Sequence, residues 1–295
     1  MKEQKSKSLW YDSWRRLKKN KAAVVSAVFL MIVCFCAYFA DWIAPYSFEA
    51  QDASKILLSP GAEHWLGTDS LGRDLLSRII YGAQMSMAVG IFTSLASLVM
   101  GVIYGAISGW FGGRVDSIMM RFIDILYTIP ALVLLILVMV LFNSLATELD
   151  PKDKALYGTF VALSIVGWVN IARLVRGQVL QEKQMLYVEA AVSIGVPSHQ
   201  ILTKHILPNI LGPIIVTLTF QIPANVMFES FLSFIGLGIQ PPYASWGTLA
   251  ADGWRSLRTY PHIIISPGVI LFLSMLAFNL LGDGLRDAFD PKARK

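Results

Sequence analysis

Residues 79–113, IIYGAQMSMAVGIFTSLASLVMGVIYGAISGWFGG, contain no charged side chain. A helix needs about 20 apolar residues to cross a bilayer, so this stretch is long enough for one span with residues to spare. Of the 295 residues in the chain, 55% are hydrophobic and 15% are charged, and the mean hydropathy is +0.56. These values are typical of membrane proteins and unusual for soluble domains. We therefore expect an all-α integral membrane protein.

Small residues recur along the same stretch at intervals of three or four. This spacing places them on one face of a helix, where small side chains let two helix backbones approach closely in lipid. We interpret the face as a packing surface, within the chain or between subunits, in preference to a substrate path. Its members are Ser86, Gly90, Ser94, Ser97, Gly101, Gly105 and Gly109, of which the four glycines are the predicted packing residues.

Five further apolar stretches bring the predicted number of transmembrane helices to six. The first has a basic flank, but its apolar core is too long for a cleavable signal peptide and no cleavage site follows it. The stretches are residues 22–40, 125–147, 155–172, 209–236 and 259–282. Prolines inside membrane helices remove a backbone donor and favour kinks, and we expect such kinks at Pro130, Pro213, Pro223 and Pro267.

Lysine and arginine positions predict the orientation of the chain. If the N-terminus is cytoplasmic, 18 of the 25 Lys and Arg residues fall on the cytoplasmic side, as the positive-inside rule requires. Both termini are then cytoplasmic in the inner membrane, and the aromatic and basic segment before the first span lies on the lipid surface. The predicted divisions are an interfacial segment 1–21, a first helix 22–43, an extracytoplasmic loop 44–81, a five-helix core 82–285 and a cytoplasmic tail 286–295.

The sequence excludes several classes of function. The net charge of +5 is too small to indicate nucleic-acid binding, and no arginine-rich face is present. The four histidines are scattered, and Cys34 and Cys36 lie two residues apart in the first span, so neither a metal site nor a disulfide is expected. No phosphate-binding loop exists, so the chain binds no nucleotide cofactor of its own and is expected to be non-catalytic.

Charged residues within membrane spans are costly and therefore suggest function. Three acids qualify. Asp124 and Asp283 lie near predicted cytoplasmic ends, close to Arg121 and Arg286 in sequence. Glu229 is deeper, and no other carboxylate or histidine lies at its depth to complete a proton relay. We interpret Glu229 as a structural acid that accepts hydrogen bonds between helices, with substrate contact as the alternative.

The longest internal cytoplasmic segment, residues 178–209, predicts two short helices joined by a sharp turn. Good helix formers occupy residues 180–194, and Gly195 and Pro197 then end the helix. Ser198 is the predicted N-cap of a second short helix, which Pro208 ends. We call residues 178–209 the elbow. It is expected to expose the small and apolar residues Ala190, Ala191, Ile194, Ile201 and Leu202.

The elbow resembles the EAA motif of permease subunits in ATP-binding-cassette (ABC) importers. Glu189, Ala190 and Ala191 are followed after three residues by Gly195, and after nine more by His205, Ile206, Leu207 and Pro208. The general pattern has isoleucine at the position of His205, whereas histidine followed by Ile-Leu-Pro-Asn is similar to the branch that imports oligopeptides and dipeptides. Further segments resemble the C-type subunit of that branch: LGTDSLGRDLL at 66–76, FESFLSFIGLG at 228–238, SWG at 245–247 and GDGLRD at 282–287.

The resemblance implies a type I importer permease (MetI-like) fold and a set of partners. These are a homologous B-type permease, two cytoplasmic ABC ATPases that use ATP and Mg²⁺, an extracytoplasmic peptide-binding protein, the peptide itself and membrane lipid. The implied mechanism is alternating access, with the elbow seated on one ATPase. The implied coupling residues are Glu189, Ala190, Ala191, Gly195, Ile201, His205, Leu207 and Pro208. Gly195→Asp is then expected to uncouple ATP hydrolysis from uptake while the helical bundle still folds.

Three alternatives stay open on the sequence. A related importer for nickel or opines shares the family pattern. An ion-coupled secondary transporter could use Glu229 or Asp283, although the chain has no evident internal repeat. A purely structural membrane protein leaves the proline breaks and the elbow without explanation.

Overall fold

A computed structural model of the chain describes residues 9–241 and 243–289. Parts of the predicted N-terminal segment 1–21 and tail 286–295 lie outside the described residues. The regular structure within the described residues is helical. The helices are α1 Leu9–Lys19, α2 Lys21–Tyr38, α3 Ala40–Ile43, α4 Leu75–Phe111, α5 Gly113–Thr128, α6 Ala131–Leu145, α7 Pro151–Glu182, α8 Leu186–Ser193, α9 Ser198–Gln200, α10 Leu207–Asn209, α11 Leu211–Phe234, α12 Trp246–Trp254 and α13 His262–Phe289, with a 3₁₀ turn at Ala53–Lys55 and a π turn at Ile201–Ile206.

Five of the described helices are long and apolar enough to cross a membrane: α2, α4, α7, α11 and α13. The pair α5 and α6 passes the same test only when taken together, and it then makes a sixth span. The predicted all-α membrane fold is confirmed, with five spans of one helix each and a bent pair, α5 and α6, that makes a sixth if it is counted as one span. Because a bilayer needs only about 20 helical residues, α4, α7 and α13 extend beyond the hydrocarbon layer.

The prediction of one helix over residues 125–147 is wrong. The chain bends by 91° between α5 and α6. Ile129 is extended and its N–H reaches the Leu126 carbonyl at 3.4 Å, and Pro130, the next residue, has no N–H to continue the ladder. The kink predicted at Pro130 falls at this break, although the apolar character of the sequence is continuous across it.

Helix α4 begins at Leu75, within the segment 44–81 that is predicted to be an extracytoplasmic loop. Asp74 caps the helix by accepting a hydrogen bond from the Ser77 N–H at 2.8 Å. The charge of Arg78 suggested a loop position, but its side chain is buried and donates to Asp69 at 2.6 Å. A buried ion pair therefore lies inside the first turn of a spanning helix.

The prolines have different effects on their helices. Pro130 separates α5 from α6, and Pro223 and Pro267 lie inside α11 and α13. Pro213 falls in the first turn of α11. The helix is interrupted close by, at Ile210 between α10 and α11, because Pro213 has no N–H to donate to the Asn209 carbonyl four residues back.

Helix α4 lies at the centre of the bundle and contacts α2, α7, α11 and α12. Its small face lies against α7 for most of its length: a Cβ atom at Gly101 would lie only 2.6 Å from the Cβ of Ile171. Gly105 and Gly109 are similarly tight against α7, whereas Gly90 faces α11. The backbones approach closely only because these positions lack side chains.

Candidate functional site

The elbow lies at the end of α7 and turns on Gly195. Gly195 has a φ of +81°, and its N–H donates to the Val192 carbonyl at 3.0 Å. The next N–H, of Val196, donates to the Ala191 carbonyl at 3.0 Å. These two bonds form the Schellman end of α8, which requires a left-handed residue and favours glycine. The predicted turn at Gly195 is present, and no atom lies within 4 Å of where its Cβ would be.

One side of the elbow is buried against the rest of the chain. Val188, Ala191, Ile201 and Ile206 join a cluster with residues of α4 and α7, including Val179. The expected exposure of Ala191 and Ile201 is therefore wrong, because these two residues attach the elbow to the bundle. Because its inner face is packed, the elbow is firmly attached to α4 and α7.

The other side of the elbow is exposed and apolar. Leu186 is 82% exposed and Ile194 is 80% exposed, and Met185, Ala190 and Val192 are exposed as well. We call these five residues the elbow tip. Exposed groups of large apolar residues are typical of protein contact surfaces. Of the remaining residues singled out from the sequence, Glu189, His205 and Pro208 are exposed and Leu207 is half-buried.

The part of the elbow that follows Gly195 differs from the predicted short helix. Ser198 does not cap it, because Pro197 occupies the N-cap position and no side chain caps the helix. After α9 the chain widens into the π turn, in which the Leu207 N–H donates to the carbonyl of Leu202, five residues back. Pro208 follows directly and has no N–H to donate, so an ordinary α-helical ladder cannot continue through it.

Hydrogen bonds that were not predicted join the parts of the elbow before and after Gly195. The Tyr187 hydroxyl donates to the Glu182 carboxylate at the end of α7 and accepts from Asn209 Nδ2 at 3.0 Å. Burial and the bond to Glu182 raise the pKa of Tyr187. The three residues lie on α7, α8 and α10, so their hydrogen bonds hold α8 and α10 in place relative to α7.

Two further contacts connect the base of α7 to α4 and α5. Lys183 Nζ donates to the Trp110 carbonyl at 2.6 Å and lies over the Trp110 ring. Arg176 forms an ion pair with Asp116, which also accepts from Ser108 at 2.5 Å. These contacts join the part of the chain next to the elbow to α4 and α5.

Glu229 is fully buried between α4 and α11. Its carboxylate accepts from Ser86 at 2.9 Å and from Ser233 at 2.8 Å. Each of these hydroxyls also accepts a backbone N–H: Ser86 from Trp246 at 3.2 Å, and Ser233 from Ile239 at 3.1 Å. The acid thus contacts two helices directly and, through two serines, holds the segment that leads into α12.

The other two intramembrane acids lie at the surface. Asp124 pairs with Arg173 on α7 at 2.6 Å and not with Arg121, its neighbour in sequence. This partner could not be predicted because it lies on another helix, 49 residues away in the sequence. Asp283 is exposed, and no ion pair joins it to Arg286 or any other described residue.

A buried ion cluster at the opposite end of α4 was also not predicted. Asp69 accepts from Arg73 at 2.7 Å and from Arg78 at 2.6 Å, and Arg78 also reaches Asp252 of α12 at 3.3 Å. Burial acts to raise the pKa of Asp69, but the charge of Arg78 and two backbone N–H groups outweigh it and leave the pKa lowered. The cluster fastens the loop before α4 to α12.

No group of three or more metal-binding side chains occurs among the described residues. The candidate site consists of the elbow and of the buried polar contacts that join helices.

Residues 97–295 match the family described as binding-protein-dependent transport system inner membrane component. Residues 8–60 match the N-terminal transmembrane domain of oligopeptide transport permease C. The chain belongs to this permease family. Within it, the second match places the chain among the C-type permeases of oligopeptide and dipeptide importers, which are multi-pass membrane proteins.

Curated permeases of this family are similar over nearly the whole chain. The oligopeptide transport system permease protein OppC of Bacillus subtilis is 42% identical over 99% of this chain and 92% of its own length. The dipeptide transport system permease protein DppC of the same species is 45% identical over 98% of this chain and 88% of its own. The glutathione transport system permease protein GsiD of Pectobacterium atrosepticum is 38% identical over 97% and 92%.

Among solved structures, an inward-facing MetNI methionine ABC transporter has the same fold. It aligns with a TM-score of 0.60 and 19% identity, over 73% of this chain and 96% of that one. The predicted type I (MetI-like) importer permease fold is confirmed.

Proposed function

We propose that this permease forms, with a homologous B-type permease, the membrane passage of an ABC importer for peptides. Two cytoplasmic ATPases supply the energy from ATP and Mg²⁺, and an extracytoplasmic binding protein delivers the substrate. The observation that carries the proposal is the elbow, which has a tightly packed inner face and an exposed apolar tip. Such a tip needs a partner, and the firm inner face would transmit that partner's movement to α4 and α7.

Peptides are the proposed substrate class because the named relatives agree on it. Their names refer to oligopeptides, dipeptides and glutathione, and glutathione is itself a tripeptide. The chain has no phosphate-binding loop, so the energy for transport must come from the partners.

The proposed mechanism is alternating access. ATP binding draws the two ATPases together, and each elbow follows the ATPase on which it is seated. The polar link through Tyr187 and the contacts of Lys183 and Arg176 make α4, α7 and the elbow move as one body. Hydrolysis then restores the inward-open state. In this proposal both chain termini and the elbow are cytoplasmic, the elbow is the coupling element, and Glu229 is a structural acid.

A substitution at Gly195 tests the proposal. Valine is β-branched and is strongly disfavoured at a φ of +81°, whereas asparagine and aspartate tolerate the left-handed region better. Gly195→Val is therefore a sharper test than Gly195→Asp, and Gly195→Asn is its matched control. Because the position is open, neither variant introduces a clash.

The measurement is uptake of a labelled peptide, together with ATP hydrolysis, by the complete importer in proteoliposomes. We expect Gly195→Val to lower the number of peptides imported per ATP hydrolysed by about tenfold, which corresponds to about 1.4 kcal/mol of coupling. Gly195→Asn should stay near the unsubstituted ratio. Equal ratios in all three complexes, with normal subunit content, would refute the elbow as the coupling element.

A further inference from the structure

The break between α5 and α6 borders a cavity of about 210 Å³. Leu126, Pro130 and Leu134 line it from the broken span, and Val166, Val169 and Asn170 line it from α7. A dry apolar cavity of about 150 Å³ is enough to bind benzene. The cavity, which we call the niche, is therefore large enough for one aromatic or branched side chain, but too small for a whole peptide.

Tyr127 and Asn170 line the niche, and the charged residues Arg173 and Asp124 lie beside Tyr127. Arg173 Nη2 donates to Asp124 Oδ1 at 2.6 Å, and the guanidinium lies 4.2 Å from the centroid of the Tyr127 ring. The Tyr127 hydroxyl donates to Asn170 Oδ1 at 2.9 Å. The side chains of Asp124 and Arg173 are 65% and 38% exposed. Each therefore has atoms free to contact another molecule while the pair stays formed.

The position of the niche along α7 argues for a cavity within the bundle. The niche lies against residues 166–170, near the end of the predicted span 155–172. Broken backbone inside a span is found where it is buried in protein or borders a water-filled cavity. Arg173 follows directly after that span, so the charged pair lies at the elbow side of the cavity.

We infer that the niche binds one apolar or aromatic side chain of the passing peptide, while Arg173 and Asp124 contact its charged main-chain ends. The inference rests on the proposed function and adds to it a substrate contact within the passage. Arg173 matches a carboxylate and Asp124 an ammonium group, so together they suit a zwitterionic peptide. The apolar niche between α6 and α7 suits its side chain.

The place where the peptide side chain binds, and the preference of the niche for side-chain size, can be tested in the same reconstituted importer. A peptide that carries a photoreactive benzophenone side chain should form adducts within residues 126–134 or 166–170 of this chain.

Ala131 lines the niche, so Ala131→Phe should fill it. We expect at least about a tenfold lower kcat/KM for a phenylalanine peptide, the equivalent of one buried side chain, and little change for a glycine peptide. The matched control is Leu137→Phe, on the exposed side of α6 away from the niche.

The charged pair is tested with peptides whose ends are blocked. The unsubstituted importer should prefer a free C-terminus over an amidated one, and Arg173→Gln should reduce that preference by about fivefold or more. Arg173→Lys should restore part of it, which a purely structural role of Arg173 would not predict.

Two results would overturn the inference in different ways. If the unsubstituted importer takes up no peptide, the proposed function fails and the niche inference fails with it. If uptake is normal but adducts map elsewhere, or Ala131→Phe slows both peptides equally, only the niche inference is overturned.

Discussion

Ser86 and Glu229 form a 2.9 Å hydrogen bond that joins α4 to α11 in the interior of the bundle. The serine hydroxyl accepts the Trp246 N–H at the same time. One side chain thus connects a spanning helix, a buried acid and the start of α12. The sequence motif around Glu229 is explained in this structure by the hydroxyl groups that surround it.

We predict that Glu229→Ala destabilises the purified permease complex by about 1–3 kcal/mol. The substitution leaves Ser86 and Ser233 without their acceptor and creates a cavity. Glu229→Gln should cost less, because an amide oxygen can still accept from one serine. The measurement is the thermal midpoint of the complex in detergent. Met227→Ala, an exposed position on the same helix, is the control, and an equal loss there would contradict the prediction.

Gly101→Ala should also destabilise the bundle. Its Cβ would lie 2.6 Å from the Cβ of Ile171, so α4 and α7 must separate, at a cost of about 1–3 kcal/mol. Gly177→Ala on α7 is the matched control, because nothing lies within 4 Å of its Cβ. Alanine there should stabilise the helix by up to about 1 kcal/mol. Opposite shifts of the thermal midpoint are expected, and a loss of stability in Gly177→Ala alone would contradict the packing argument.

Asp69→Asn should be severe because it leaves Arg78 buried without its nearest carboxylate. Removing one member of a buried ion pair costs about 3–5 kcal/mol. Glu63→Gln removes a similar pair, with Lys55 at 2.8 Å, but Glu63 is 72% exposed. An exposed pair contributes about 0–1 kcal/mol. The expected order of thermal midpoints is therefore unsubstituted, Glu63→Gln slightly below it, and Asp69→Asn far below both.

The lowered pKa of Asp69 also predicts a pH dependence. A carboxylate with a lower pKa in the folded state adds stability above its unfolded pKa of about 3.9, and this stability is lost as the pH falls through the folded value. Between about pH 5 and pH 3 the unsubstituted complex should lose stability more steeply than Asp69→Asn, which lacks this carboxylate. Parallel curves would show that Asp69 does not contribute.

Leu186→Asp tests whether the elbow tip contacts an ATPase. Leu186 is so exposed that the substitution should leave the stability of the permease within about 0.5 kcal/mol. A charge at the centre of an apolar contact should nevertheless reduce ATPase co-purification at least about tenfold. Leu186→Met keeps the apolar surface and should retain the ATPase. Normal co-purification with Leu186→Asp would place the contact elsewhere.

Much of the fold was predictable from the sequence because helices in lipid need long apolar stretches and small residues where they pack closely. Long uncharged stretches predicted the spans, and the spacing of small residues predicted the packed face of α4. The turn at Gly195 followed from the left-handed conformation that glycine allows. These features depend on local composition and helical periodicity, which a single sequence records directly.

Features that depend on contacts between distant residues could not be predicted. Charge made Arg78 resemble a loop residue, whereas Asp69 holds it inside a helix. Arg121 is the basic residue close to Asp124 in sequence, but Asp124 pairs with Arg173 on α7, 49 positions away. The link through Tyr187 and Asn209 joins residues 22 positions apart that no periodicity relates. Helical patterns indicate which face is buried, and they do not indicate what covers it.

The length of α4 has a consequence for how motion crosses the bilayer. Its 37 residues form one continuous rod of about 55 Å, with the Asp69 cluster at one end and Trp110 at the other. If such a rod pivots by about 5° at the Trp110 end, its far end sweeps through about 5 Å. A small tilt beside the elbow is thereby enlarged, without any intermediate joint, into a displacement as wide as one peptide strand on the opposite side of the membrane.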